Sequence, residues 1–203
     1  MEHEFDYYLI GNDYTKSVPD LMSDDGQNTM FLHGKEPIEE LDTPIKLCLC
    51  PPIPAKPRMV DFHEMPSSVF SGKIAKVLKS MNIYGLQLIP ATVRGKGNDR
   101  YDDYWVAYVY NRIPCLDLEH SEYDVDKDDG WIHNVLKYFM DNTHLAKIPL
   151  EKRLVFLMEE SMSKRIYHKS VVDAIMSLKP VGITFSPIPV WFEGNTFYDE
   201  EDW

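Results

Sequence analysis

Residues 71–94 read SGKIAKVLKSMNIYGLQLIPATVR, and they contain both kinds of secondary structure on which the fold depends. A helix is predicted from Ser71, because apolar residues recur at the spacing of one helical face: Ile74, Val77, Leu78 and Met81. Residues 86–94 then favour a strand. The β-prone run YWVAYVY at 104–110 follows a glycine-containing turn at 95–99, which predicts an antiparallel hairpin.

A similar helix–turn–strand pattern occurs 97 residues later. When the sequence is shifted by 97 residues without a gap, similar residues align: Ile74 with Val171, Leu78 with Ile175, Gly85 with Gly182 and Pro90 with Pro187. Each glycine lies where the helix ends and the strand begins, which favours a residue without a side chain. A duplicated helix–strand unit explains the pattern, and so does chance similarity of two ordinary units.

The remaining apolar runs predict further strands at residues 6–10, 44–50 and 183–187. The unbroken run LVFLM at 154–158 is typical of a strand buried on both faces, and residues 165–167 are expected to return against it. A second helix is predicted at 170–178. The fold class is therefore expected to be α+β, with a mixed, largely antiparallel sheet and a few packed helices.

The chain has 203 residues, enough for one sizeable core, and a single domain over 1–203 is predicted. Within it, residues 1–58 are expected to form N-terminal strands and a proline-rich flap, since four prolines between 51 and 57 forbid regular structure. Residues 193–203 are expected to be an acidic tail.

The net charge of −12 disfavours nucleic acid and favours a basic protein partner, although acidity for solubility alone is an equal alternative. No apolar run approaches the ~20 residues of a membrane span, so no membrane contact is predicted. The acidic N-terminus lacks signal-peptide character, so together with the missing span it predicts a cytoplasmic protein. Three cysteines, an odd number, argue against a disulfide framework, and Cys48 and Cys50 are expected to be buried thiols. The oligomeric state is not predicted.

Motifs for catalysis or cofactor binding are missing from the sequence. It has no glycine-rich phosphate loop, no nucleophile elbow, no His-Glu-x-x-His and no Cys-x-x-Cys. Neither a cofactor nor a metal is predicted, and a binding protein is favoured over an enzyme. The alternative is a metal-dependent hydrolase in which His63, His120 or His133 meets acids from distant positions.

The most acidic stretch also contains large aromatic residues. We predict that it binds the partner through these residues: Glu119, Glu122, Tyr123, Asp124, Asp126, Asp128, Asp129 and Trp131. Its aspartates are spaced as in a calcium loop, but Asp129 replaces the required glycine and Val135 the required glutamate. An acidic loop is therefore the preferred interpretation, with rings that anchor and charges that select a basic partner.

Several segments together carry a family resemblance: YYLI at 7–10, SGKIAKVL at 71–78, GLQLIPA at 85–91, CLD at 115–117, SEY at 121–123, LVF at 154–156 and GITFSP at 182–187. The chain resembles the bacterial immunity-protein family numbered eleven in the polymorphic-toxin classification, over nearly its whole length. Residues 51–57 and those after Phe192 have no place in that pattern. The resemblance implies a cytoplasmic protein that binds and neutralises a toxin delivered between bacteria, and it carries over no catalytic residue.

The predicted function is therefore that of an immunity protein that occludes the active site of a basic protein toxin with its acidic and aromatic surface. A protein-interaction module that has no toxin partner is the remaining alternative, beside the hydrolase.

Overall fold

The structure is a computed structural model that describes residues 5–12, 17–24, 34–126, 130 and 132–188, without the side chains of 133 and 161–163. The strands are β1 (Tyr7–Asn12), β2 (Leu21–Ser23), β3 (Ile45–Leu49), β4 (Phe62–His63), β5 (Val69–Ser71), β6 (Leu86–Arg94), β7 (Arg100–Val109), β8 (Arg112–Ile113), β9 (Glu122–Val125), β10 (Ile132–Lys137), β11 (Val155–Met158), β12 (Ser161–His168) and β13 (Ile183–Pro187). The helices are α1 (Gly72–Ser80), α2 (Asn142–Leu145) and α3 (Lys169–Met176), with a 3-10 turn at Leu150–Lys152.

The strands form two larger sheets and one hairpin. The five-stranded sheet has the order β13-β1-β12-β11-β8, the six-stranded sheet has the order β2-β3-β6-β7-β5-β4, and β9 pairs with β10. Only β8–β11 and β3–β6 are parallel pairs among the described strands. The α+β class is confirmed, with largely antiparallel pairing that is divided between separate sheets.

The central core lies where both sheets meet α1 and α3. Apolar residues of both helices fill it, including Ile74, Leu78, Val171 and Ile175. In β11, Val155 and Leu157 face this core, whereas Phe156 and Met158 face a second core on the other side of the five-stranded sheet. This strand is buried on both faces, as its unbroken apolar sequence predicts.

The second core, which we call the hairpin-side core, lies under β9 and β10. Tyr7, Leu9 and Ile166 contribute to it from the five-stranded sheet. Arg153 is only 1% exposed; it donates Nε–H to the Ile148 carbonyl at 2.8 Å and Nη1–H to the Tyr7 hydroxyl at 2.7 Å. These bonds offset the cost of burying a guanidinium.

The two helix–strand units have the same backbone course. β7 lies between β5 and β6, and β1 lies between β12 and β13, so each helix connects two strands that flank a third. The turn after α1 has positive φ at Asn82 (47°) and Gly85 (75°). The turn after α3 has positive φ at Lys179 (49°) and Gly182 (77°), each 97 residues later.

Asp61 joins the two units. Its carboxylate accepts hydrogen bonds from the Ser71 hydroxyl at 2.6 Å, the Lys73 amine at 3.0 Å and the Val181 amide at 2.8 Å. Burial alone would raise the pKa of Asp61, but these bonds outweigh burial and lower it. The start of α1 is therefore attached to the turn that follows α3.

The first part of the chain contributes internal strands. β1 lies inside the five-stranded sheet, β3 lies inside the six-stranded sheet, and residues 51–61 contain no helix or strand. Residues 34–41 run across the six-stranded sheet: the Gln87 side chain accepts from the Ile38 amide at 2.8 Å and donates to its carbonyl at 2.9 Å. The Tyr108 hydroxyl donates to the Glu36 carbonyl at 2.7 Å. Whether 1–58 and 1–203 are the correct boundaries stays a prediction.

The acidic stretch differs from its prediction. Residues 119–131 were expected to form a loop, but 122–125 form β9 and pair with β10. The reason is the packing of the half-buried Tyr123 against the hairpin-side core, which favours an extended strand over a solvated loop. The predicted tail at 193–203 lies outside the described residues. Among the helices described, none is long and apolar enough to cross a membrane.

Candidate functional site

The described part of the acidic stretch lies on the hairpin that covers the five-stranded sheet. In the antiparallel register Tyr123 is opposite Val135, Glu122 is opposite Lys137, and Asp124 is opposite Asn134. Val135 is fully buried, and Tyr123 packs against the same core. Because side chains alternate along a strand, Glu122 and Asp124 project to solvent on the other face.

A structured turn precedes β9. The Asp117 carboxylate accepts from the backbone amides of Glu119 at 3.0 Å and His120 at 3.2 Å, and it contacts the His120 Nδ1 at 2.8 Å. The Ser121 amide donates to the Asp117 carbonyl at 2.9 Å. These bonds fix the backbone that carries Glu119 and leave its side chain exposed.

The carboxylate of Glu160 supports the segment just before this turn. Its two oxygens accept from the amides of Cys115 at 3.2 Å and Leu116 at 3.3 Å. Leu116 also forms an antiparallel bridge with Met140, and the Asp117 amide donates to the Phe139 carbonyl at 2.9 Å. The hairpin pairing therefore continues past β9 and β10 and holds the turn against the body of the protein.

The surface combines acids with exposed apolar side chains. We call Glu119, Glu122, Asp124 and Asp126 the acidic strip. Leu118 and Val125, at either end of the turn and strand, are 51% and 47% exposed. An exposed apolar group among charges is a typical component of a protein interface, where it is buried on binding.

Asp117 and His120 influence each other's protonation. The hydrogen bond from His120 lowers the pKa of Asp117, and the same bond raises the pKa of His120. Lys137, opposite Glu122, also places its ammonium 5.3 Å from the Phe139 ring centroid. These groups bring some positive charge to the base of an otherwise acidic surface.

The structure places only part of the predicted site. Glu119, Glu122 and Asp124 share the exposed surface, and Asp126 follows directly at the end of β9. The Tyr123 ring packs inward, and its hydroxyl contacts the Leu118 carbonyl at 3.4 Å. Three further predicted residues lie outside the described part of the chain: Asp128, Asp129 and Trp131.

Sequence reasoning missed Leu118 and Val125 as exposed apolar groups. Leu118 could have been found as a lone apolar residue within the polar run DLEHSE at 117–122. Val125 follows Tyr123 by two residues, so alternation predicts that both face the core. The structure instead leaves Val125 exposed where the hairpin register is irregular.

The histidines proposed for a hydrolase do not form a metal centre within the described residues, where no group of three or more potential ligands converges. His63 is buried in β4, with Nδ1 3.1 Å from the Pro19 carbonyl. Burial lowers its pKa to about 4. His120 lies in the turn beside the acidic strip, and the side chain of His133 lies outside the described atoms.

The cysteines of the described chain are free thiols. Cys48 is buried as predicted and Cys115 is buried too, but the prediction of a buried Cys50 is wrong, since Cys50 directly precedes the exposed Pro51 after the end of β3 and is partly exposed. Burial raises the pKa of both Cys48 and Cys115, so neither is activated as a thiolate nucleophile.

A separate cleft of about 520 Å³ lies at one end of the six-stranded sheet. Arg94 in its wall is ion-paired with Asp24, and the wall also carries Lys46, Asp99 and Arg100, of which Arg100 is ion-paired with Asp102. The mixed charges give this cleft no clear preference for a ligand, in contrast to the acidic strip.

Comparison with known proteins supports one assignment. No curated protein matches this sequence. A family model described as the immunity protein family (Imm11) matches residues 4–190, which is nearly the whole chain. The match includes β1 through β13 and therefore both sheets and the hairpin with the acidic strip. The chain belongs to the Imm11 family of immunity proteins.

Proposed function

We propose that this protein neutralises a basic protein toxin by covering the toxin's active site with the acidic strip. The observation that carries the proposal is the exposure of Glu122 and Asp124 on the paired strand β9, which follows a turn that carries the exposed Leu118. Membership of an immunity family supports the general function. The choice of surface rests on the charges and on the supported turn.

The acidic strip suits a basic partner for two reasons. Opposite potentials accelerate encounter, and the exposed apolar side chains at the two ends of the acidic strip are buried on binding and help to hold the complex. The fixed backbone at Asp117 and β9 means that little conformational entropy is lost when the partner binds. Inhibition then follows from steric cover of basic groups in the toxin's active site.

Charge reversal tests the placement of this surface. The double variant Glu122→Lys with Asp124→Lys should weaken binding of the co-encoded toxin domain by at least about tenfold, because attraction becomes repulsion. Its loss of affinity should be smaller at 1 M salt, where the screening length is about 3 Å. Calorimetric titration at low and high salt measures both effects.

A matched control carries the same change in net charge elsewhere. Glu39 and Glu40 are exposed on the segment bound to the six-stranded sheet, and Glu39→Lys with Glu40→Lys should leave affinity nearly unchanged. Equal weakening by both double variants would assign the effect to net charge, and unchanged affinity of the first variant would reject the acidic strip as the binding surface.

The site of action is part of the same proposal. We infer that the protein works in the cytoplasm of the cell that makes it, since a toxin delivered between bacteria must be met inside the recipient. Growth of cells that express the toxin should depend on the wild-type chain and fail with the Glu122→Lys, Asp124→Lys variant. Equal protection by the two chains would contradict the proposal.

We also infer that the two helix–strand units arose by duplication. Support comes from positive φ values that recur 97 residues apart, and from matching burial of Tyr84 with Val181 and of Gly85 with Gly182. Equivalent turns predict that alanine is destabilising at both glycines, because both have positive φ and a neighbour that an added Cβ would meet. A loss of unfolding free energy below about 1 kcal/mol at either glycine would argue against equivalent turns.

A further inference from the structure

The outer edge of β9 is open in the described structure. β9 pairs with β10 on one side, and none of the other described strands pairs with its second side. Backbone groups of alternate residues therefore point away from the hairpin. β9 contains no proline, so each outward-pointing residue between Glu122 and Val125 has a backbone N–H as well as a carbonyl for an incoming strand.

The charges on β9 limit which strand can pair with that edge. Side chains directly opposite each other on paired strands lie about 4.5–5.5 Å apart, and like charges at that distance are destabilising. Glu122 and Asp124 would face the same acids in a second copy of β9, so pairing between two copies is disfavoured. A strand with lysine or arginine at alternate positions would place opposite charges beside both acids.

The core beneath β9 keeps this edge in place. Tyr123 packs against the hairpin-side core, and Val135 on the paired strand is fully buried. The supported turn at Asp117 fixes the chain before the strand begins. An incoming strand would therefore meet a preformed edge, which lowers the entropy cost of pairing.

We propose that β9 accepts an extended basic segment of the toxin as a third strand of the hairpin. The proposal rests on the proposed function and adds to it the conformation of the bound segment. Backbone hydrogen bonds from β9 supply affinity that is independent of side chains, and Glu122 and Asp124 select the alternating cations. Val125 and Leu118 remain available for apolar contacts at the two ends.

Amide hydrogen exchange tests the backbone part of the proposal. In the complex with the co-encoded toxin domain, alternate amides of Glu122–Val125 should exchange about two- to tenfold more slowly, as expected for one added hydrogen bond each. One stretch of the toxin with basic residues at alternate positions should gain protection as well. The amides of Leu9 and Ile166, inside the five-stranded sheet, serve as internal controls and should not change.

The neutral variant Glu122→Gln with Asp124→Asn separates the backbone from the charges. Strand addition predicts weaker binding by about two- to 25-fold for two lost ion pairs, with the β9 amides still protected in the complex that forms. A stoichiometric complex in which the β9 amides exchange at unchanged rates would overturn strand addition. If charge reversal weakens that complex all the same, the proposed function stands and only strand addition fails.

Discussion

Substitution of Gly182 by alanine should strongly destabilise the protein. Gly182 has φ of 77°, where an alanine residue costs about 1–2 kcal/mol. A Cβ atom at this position would lie 2.7 Å from the Cβ of Val60 and 2.9 Å from its Cγ1, well inside contact distance. Overpacking of this kind typically adds about 1–3 kcal/mol.

The neighbouring hydrogen bonds prevent simple relief of the clash. The Asp61 amide donates to the Val181 carbonyl at 2.8 Å, and the Val181 amide donates to the Asp61 carboxylate at 2.8 Å. Moving Val60 away from Gly182 would stretch both bonds. We therefore expect Gly182→Ala to lower the free energy of unfolding by about 2–5 kcal/mol, a large part of the 5–15 kcal/mol typical of domains.

Equilibrium unfolding in urea at 25 °C measures this loss, with Gly97→Ala as the matched control. Gly97 has φ of 66° but nothing within 4 Å of an added Cβ, so Gly97→Ala should cost only the about 1–2 kcal/mol that comes from the positive φ. Adding Val60→Gly to Gly182→Ala removes the clashing Cβ and both Cγ atoms, so the two changes should show favourable coupling of about 0.5–3 kcal/mol. Equal losses at Gly182 and Gly97, with no coupling to Val60, would refute the argument.

Three further predictions concern buried polar groups. Burial lowers the pKa of His63 to about 4, below its unfolded value of 6.5. The fold therefore holds His63 in its neutral form, and the full contribution to stability is present above pH 6.5. As the pH falls from 6.5 to 4, the free energy of unfolding should decrease by about 3 kcal/mol. Urea unfolding at pH 7, 5 and 4 should show this decrease in the wild type and not in His63→Gln. If the stability of both proteins falls equally with pH, the prediction is contradicted. Tyr7→Phe removes the hydroxyl that accepts from Arg153 and should cost about 1–3 kcal/mol in urea unfolding; a loss below about 0.5 kcal/mol would contradict this role. Gln87→Ala should cost about 1–3 kcal/mol and speed exchange of the Ile38 amide, whereas unchanged exchange would show that the side chain does not hold that segment.

Local patterns predicted the elements whose structure depends on near neighbours. Both long helices, the β6–β7 hairpin and the doubly buried β11 follow from periodicity and residue type, and the structure confirms them. Local patterns do not predict where a strand lies within a sheet. The insertion of β1 between β12 and β13 joins residues that are more than 150 positions apart, and no local pattern in the YYLI segment specifies those partners.

In the candidate site, too, the sequence predicted the exposure of charged residues but not the packing that depends on distant strands. The exposure of Glu119, Glu122 and Asp124 agrees with their charge, since desolvation of an unpaired carboxylate is costly. The strand that carries two of them was missed because acidic residues have low β-propensity. Packing of Tyr123 against a core built from distant strands decides the conformation of β9, and it leaves the predicted anchor only partly exposed.

The position of β1 also sets the order in which the chain can fold during synthesis. Residues 7–12 leave the ribosome long before both of their sheet partners, which end at His168 and Pro187. At about 5–20 residues per second, β1 waits about 10–35 s for the last of them. During that interval Tyr7 and Leu9 have no completed sheet to bury them, so a nascent or prematurely terminated chain exposes an apolar strand to chaperones and proteases. Protection against a toxin would then begin only after strand β13 has been made.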